Sequence, residues 1–267
     1  MVRKRLIFLY IIICLLLASC SKHQKLIKSS DNDLKYEAAI AYFNKKDYFR
    51  ALQLFDQLTT AFRGTSRGER INYYQAYCYY EQGDWTLGGY YFQRFAKNYP
   101  NSRDAEEALF MSAICKYNLS PRYSLDQTVT KEAIAEFQIF LNRYPNTTRK
   151  DECNGYIDEL REKLARKDIE ASKLYFHMEE YEAAVVSFEN MIKDYPNSKY
   201  VEDASYYIMR SYYRFALNSI HEKQLERFQM AFNAYTDFVA YYPNSPFRKD
   251  ADKMKDIALE HIKKLQK

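Results

Sequence analysis

The chain has 267 residues, enough to bury a sizeable core as one extended domain or two ordinary ones. An aliphatic and aromatic content of 47% excludes a disordered chain, and only six glycines argue against the many tight turns of an all-β protein. The formal charge of +5 falls to about +2 without residues 1–19, so there is no strong electrostatic case for a nucleic-acid partner.

The chain opens MVRKRLIFLYIIICLLLASC. Arg3, Lys4 and Arg5 precede an apolar stretch, Leu6 to Leu17, that is too short for a comfortable membrane span, and small residues precede Cys20 as at a signal-peptidase site. Leu17-Ala18-Ser19-Cys20 also resembles the bacterial lipobox, whose cysteine thiol takes a diacylglycerol and becomes the new N-terminus. The alternative is an ordinary signal peptide followed by a chance cysteine. Residues 1–19 are therefore expected to be a lipoprotein signal peptide and Cys20 the lipidation site. Two or three acyl chains, at about 0.8 kcal/mol per buried methylene, anchor a protein stably. Residues 20–33 are polar and lack strong periodicity, so they are expected to form a tether, roughly 45 Å long if fully extended. Its lysines, Lys22, Lys25 and Lys28, either meet lipid headgroups or simply solvate the linker.

From residue 34 onward the sequence repeats. A degenerate first copy holds Tyr48, Ala51, Phe55 and Leu58, followed by Phe62-Arg63. Four phrases then recur: NYPNS at 98–102, RYPNT at 143–147, DYPNS at 194–198 and YYPNS at 241–245. Their prolines, Pro100, Pro145, Pro196 and Pro243, stand 45, 51 and 47 residues apart, a period typical of stacked repeats. Twelve residues before each proline is a small residue: Gly88, Ala133, Ala184 and Ala231. Eight before stand Phe92, Phe137, Phe188 and Tyr235; five before stand Phe95, Phe140, Met191 and Phe238. Those spacings put them on one face of a helix.

Proline ends that helix, and the Asn and Ser/Thr after it are expected to cap the next one. Eight residues past the prolines come Ala108, Cys153, Ala204 and Ala251, again small. Two insertions, 118–130 and 219–226, are expected as long turns between paired helices, and Pro246 to Lys267 as one capping helix.

The small, aromatic and proline positions resemble the tetratricopeptide repeat. Three copies match closely: Ala39, Tyr42, Tyr48, Ala51, Phe55; Ala76, Tyr79, Trp85, Gly88, Phe92, Pro100; and Ser172, Tyr175, Tyr181, Ala184, Phe188, Pro196. The expected fold is all-α, a solenoid of about five tetratricopeptide-like helix pairs with a C-terminal capping helix. A lipidated segment followed by five such repeats with recurrent YPN[ST] resembles the BamD family, lipoproteins of the outer-membrane β-barrel assembly machinery. The resemblance covers nearly the whole mature chain. It implies a scaffold on the periplasmic side of the outer membrane that docks on a BamA-like barrel subunit, meets other members of the machinery and receives unfolded outer-membrane proteins. Repeats 1–3 (34–148) are expected to form the substrate groove, and repeats 4–5 with the capping helix (149–267) the docking surface. The other reading is a repeat lipoprotein scaffold for a different envelope complex, of the cell wall or division.

Chemistry is not expected. His23, His177, His221 and His261 stand apart from any nucleophile or metal spacing, and no GxSxG, HExxH or glycine-rich phosphate loop occurs, so neither metal nor cofactor is anticipated. Cys78, Cys115 and Cys153 show no metal-binding spacing, and Cys78 and Cys115 lie in apolar, helix-like segments as buried small hydrophobes. Binding is expected instead in a groove lined by the first helices of the repeats. The tetratricopeptide register assigns to it Tyr36, Ile40 and Phe43, then Arg70, Tyr73, Tyr77 and Tyr80. Tyrosine offers broad contact area at low entropic cost, and Arg70 suits a C-terminal carboxylate. The same tyrosines could equally fill core between repeats.

Overall fold

In a computed structural model the described residues, 22–267, are all-helical. Helix α1 covers residues 22–28, followed by α2 (Asn32–Asn44), α3 (Tyr48–Leu58), α4 (Ser66–Glu81), α5 (Trp85–Asn98) and α6 (Ala105–Leu119). Then come α7 (Thr128–Arg143), α8 (Lys150–His177), α9 (Tyr181–Asp194), α10 (Val201–Leu217), α11 (His221–Tyr241) and α12 (Arg248–Leu265). The expected signal peptide and Cys20 lie outside the described residues.

The chain divides into two compact units. One takes the described residues up to Ser120 and Glu132–Cys153; the other takes Pro121–Lys131 and Asn154–Lys267. Each is built from tetratricopeptide-like helix pairs: α2/α3, α4/α5 and α6/α7 in the first, α8/α9 and α10/α11 with α12 in the second.

The repeated register is the core. Ala51, Ala133 and Ala184 are fully buried and Ala231 nearly so; Phe55, Phe92, Phe137 and Phe188 show no exposed surface. Gly88 shows why the position is small. A Cβ there would stand 3.2 Å from Tyr80 N and 3.4 Å from Cys115 Sγ, tight contacts with the helices on either side. Cys78, Cys115 and Cys153 are free thiols with no exposed surface, packed as small hydrophobes. Ala184 has no exposed surface among Ala165, Ile169, Phe188 and Ala204. Ala184→Leu should therefore overpack this contact and cost about 1–3 kcal/mol, read as a lowered urea midpoint.

The YPN[ST] phrase folds identically four times. The tyrosine N–H ends the helix on the carbonyl four residues back: Tyr99 on Phe95, Tyr144 on Phe140, Tyr195 on Met191 and Tyr242 on Phe238, at 2.8–3.0 Å. The Ser/Thr N–H then returns to the tyrosine carbonyl at 3.0–3.2 Å. The side-chain expectation needs correction. The Ser/Thr hydroxyl accepts from the N–H two residues on (Asp104, Arg149, Tyr200 and Phe247, at 3.1–3.2 Å), so it holds the turn and not the helix cap. The cap residues of α6, α10 and α12 make no side-chain cap bond. Helices α2 to α5, by contrast, are capped by Asp31, Asp47, Thr65 and Asp84. Two hydroxyls also tie the turn to a preceding helix: Thr147 donates to Glu106 at 2.6 Å and Ser198 to Glu162 at 3.2 Å.

Three expectations change in the connections. Residues 219–226 are not a long turn, because α10 ends at Leu217 and α11 already begins at His221. No glycine or proline interrupts that segment, so it lengthens α11. The insertion at 118–130 remains a true connection over 120–127, where Pro121 stops α6. Its tip belongs to the second unit: the Arg166 guanidinium lies 4.1 Å over Tyr123, and Lys167 donates to the Leu125 carbonyl at 2.6 Å. Finally, part of the segment expected as a tether is helical (22–28) and seated on the first repeat, where Leu26 and Ile27 join its core.

Candidate functional site

The expected groove residues separate into two sets. Tyr36 is 7% exposed and packs on Phe62 at 5.9 Å, with the Arg67 guanidinium 5.1 Å above it and Asp33 paired to that arginine. Ile40 and Phe43 are half-buried against the same core, and Phe43 meets Tyr74 at 4.6 Å. This set belongs to the packing of the first repeat.

The second set lies along α4. Tyr73, Tyr77 and Tyr80 follow a helical stripe and all three are half-buried. Tyr73 packs 5.2 Å from Phe95, Tyr77 is edge-on to Phe92 at 4.9 Å, and Tyr80 stands 6.5 Å from Phe92. The rings therefore cover the α5 aromatics while their polar tips line up. Tyr73 donates to the Tyr77 oxygen at 3.4 Å, and Tyr77 donates to Glu107 Oε1 at 3.1 Å. Glu107 is paired with Arg149, whose guanidinium lies 4.2 Å over Phe110. Burial first, and then the neighbouring phenol and carboxylate, push the Tyr77 ionisation far up, and burial raises Tyr73 as well. Both phenols thus stay neutral donors.

Arg70 is exposed and makes no hydrogen bond or ion pair among the described residues. It lines a cleft of about 800 Å³ between the first turn of α4 and the 98–104 turn, together with Ser66, Glu69, Pro100 and Arg103. Arg103 is likewise exposed and unpaired among the described residues. Two free guanidiniums facing one cleft can grip a carboxylate bidentately. Sequence reasoning found Arg70 but not Arg103; the signal available was a basic residue directly following a YPNS phrase.

A second concavity, of about 410 Å³, lies in the second unit between α9, α10 and α11. Ile208, Tyr212, Met230, Phe238 and Tyr241 line it together with Glu189 and Asp237. Tyr241 is 80% exposed there. Among the described residues, no group of three or more His, Cys, Asp or Glu is placed to hold a metal ion, and no helix is long and apolar enough to cross a membrane.

Comparison with known proteins places these features in context. A family model described as outer membrane lipoprotein, YfiO, matches residues 28–228. The chain is 22% identical over 217 residues to the outer membrane protein assembly factor BamD of Pasteurella multocida, covering 78% of this chain and 83% of that one. It is 23% identical over 248 residues to the BamD of Rickettsia prowazekii, covering 90% and 92%. Among solved structures, it is similar to the TPR2AB domain of yeast Sti1 in its pHSP90 complex, at 14% identity and a TM-score of 0.41, over 85% of this chain and 98% of that one.

Proposed function

The chain belongs to the outer membrane lipoprotein family that the YfiO model describes, and from that premise we propose that it is an outer-membrane protein assembly factor. In this reading Cys20 anchors it in the outer membrane on the periplasmic side. The protein acts without chemistry, as a scaffold docked on a BamA-like barrel subunit and as a receptor for unfolded outer-membrane proteins. The observation that carries the reading is the family match over 28–228, supported by relatives named as assembly factors along most of the chain.

Repeats 1–3 (34–148) supply the receptor and 149–267 the docking surface. The cleft with Arg70 and Arg103 supports the first assignment, because an unfolded outer-membrane strand ending in a free carboxylate offers the matching charge. Tyr73, Tyr77 and Tyr80 support that surface from the second repeat, and Tyr36, Ile40 and Phe43 hold the first repeat beside it. The concavity bearing the exposed Tyr241 supports the second assignment, since an exposed aromatic beside a hollow lined by both apolar and polar groups suits an interface anchor.

Two measurements test the reading. Co-purification from detergent-solubilised membranes should recover a large barrel with periplasmic domains, and Tyr241→Asp should diminish that recovery; recovery of a cell-wall or division complex in its place would overturn it. A peptide copying the C-terminal strand of an outer-membrane protein should bind the chain, and Arg70→Ala or Arg103→Ala should weaken it by about 1–2 kcal/mol. The same peptide with an amidated C-terminus should be nearly indifferent to both changes. Equal losses for both peptides would exclude carboxylate recognition in this cleft.

A further inference from the structure

The segment after the expected anchor is firmly seated. His23 is 6% exposed, its Nε2 stands 2.7 Å from Gln53 Oε1, and its ring meets Tyr42 edge-on at 5.3 Å. Leu26 and Ile27 pack on the first repeat's core, while Lys22 and Lys25 face solvent. Tyr42 lies in the last turn of α2, yet the chain enters α2 at Asn32. Residues 23–31 therefore run back along α2, from its last turn to its first. The first turn of α1, with Lys22 and His23, therefore lies at the end of the repeat where α2 turns into α3. Cys20 stands three residues before His23 in the sequence.

That corner has an unusual surface. Phe49 is 64% exposed at the start of α3, one helical turn before Gln53 and hence on the same face as the residue that holds His23. Lys45 and Lys46 form the turn beside it, both exposed. None of the ammonium groups of Lys22, Lys25, Lys45 and Lys46 has an ion pair or hydrogen bond among the described residues, and the nearby Asp47 is engaged by Arg50 at 3.4 Å. An exposed aromatic ring flanked by unpaired ammonium groups is the composition that settles at a bilayer interface.

We propose that this corner is a bilayer-contact surface: Phe49 sits at the headgroup level, and Lys22, Lys25, Lys45 and Lys46 meet anionic phospholipid phosphates. The contact fixes the first repeat flat against the membrane, so the receptor repeats do not swing on a slack tether. The inference rests on the reading of Cys20 as the lipid-bearing residue for its placement.

The test uses the lipidated chain reconstituted into vesicles of phosphatidylethanolamine and phosphatidylglycerol carrying brominated acyl chains. In Phe49→Trp the introduced indole should be quenched and blue-shifted beyond the emission of Trp85, which the unsubstituted chain reports by itself. Each of Lys22, Lys25, Lys45 and Lys46 changed to Gln should lower the docked-to-undocked ratio about fivefold, corresponding to about 1 kcal/mol per basic residue near an anionic surface. Zwitterionic phosphatidylcholine vesicles should show little quenching although the chain still floats with them. An introduced indole quenched no more than Trp85, or quenching indifferent to the lysines and to lipid charge, overturns the proposal. Failure of the anchor reading looks different: the mass of the chain shows an unmodified Cys20 and the chain no longer floats with zwitterionic vesicles. Titration of that unlipidated chain with anionic vesicles then still reads the corner through the same quenching.

Discussion

Phe92→Ala is expected to destabilise the first unit by about 3–5 kcal/mol, the usual cost of emptying a fully buried aromatic site. Phe92 has no exposed surface and lies beneath Tyr73, Tyr77 and Tyr80. Its removal leaves a cavity bounded by three rings on one helix and by Gly88 one turn back on its own. Urea unfolding followed by the fluorescence of Trp85, on the same helix, reads the loss directly. Tyr77→Ala is the informative companion. The ring is half-buried against Phe92, so its truncation should cost about 1–3 kcal/mol, clearly less than Phe92→Ala. It also frees Glu107 from its phenol donor. If peptide binding per folded molecule falls as well, the stripe supports the receptor surface; if only stability falls, the stripe is packing and the cleft at Arg70 and Arg103 stands alone.

Gly68→Ala should be nearly as damaging, by about 2–3 kcal/mol, although alanine is the better helix former by about 1 kcal/mol. A Cβ on Gly68 would stand 2.1 Å from the Phe62 carbonyl oxygen, and a backbone carbonyl cannot swing aside as a side chain can. The same glycine's N–H donates the cap bond to Thr65 Oγ1 at 3.1 Å. Relief of the clash must therefore displace the 62–68 turn that joins the first repeat to the second and that sets the first turn of α4, where Arg70 begins. Thermal unfolding and binding of the free-carboxylate peptide should both deteriorate. An unchanged melting temperature would show that the turn is far more yielding than its close packing implies.

Much of this protein is legible in its sequence because the relevant physics is local. A small residue, an aromatic four positions on and another three further must share a helix face, whatever surrounds them, and every member of that register from Ala51 to Phe238 is buried or nearly so. Proline ends a helix through its own ring, so the YPN[ST] phrases marked four helix ends correctly. Tertiary structure decided what local spacing does not encode. The Ser/Thr of the phrase fits a helix cap and a turn bond equally well, and the position of the next helix chose the turn. A tyrosine stripe on α4 has the same period whether it meets solvent or the Phe92 and Phe95 rings, and only the packing of α5 alongside made it half-buried. Arg103 is one basic residue among 40 until the 98–104 turn brings it to the same cleft as Arg70. Residues 22–28 look like linker because seven residues are too few to show a period; what makes them a docked helix is a surface on α2 and α3 that takes His23, Leu26 and Ile27. Periodicity identifies which residues share a face, but what that face meets depends on contacts between residues far apart in the chain.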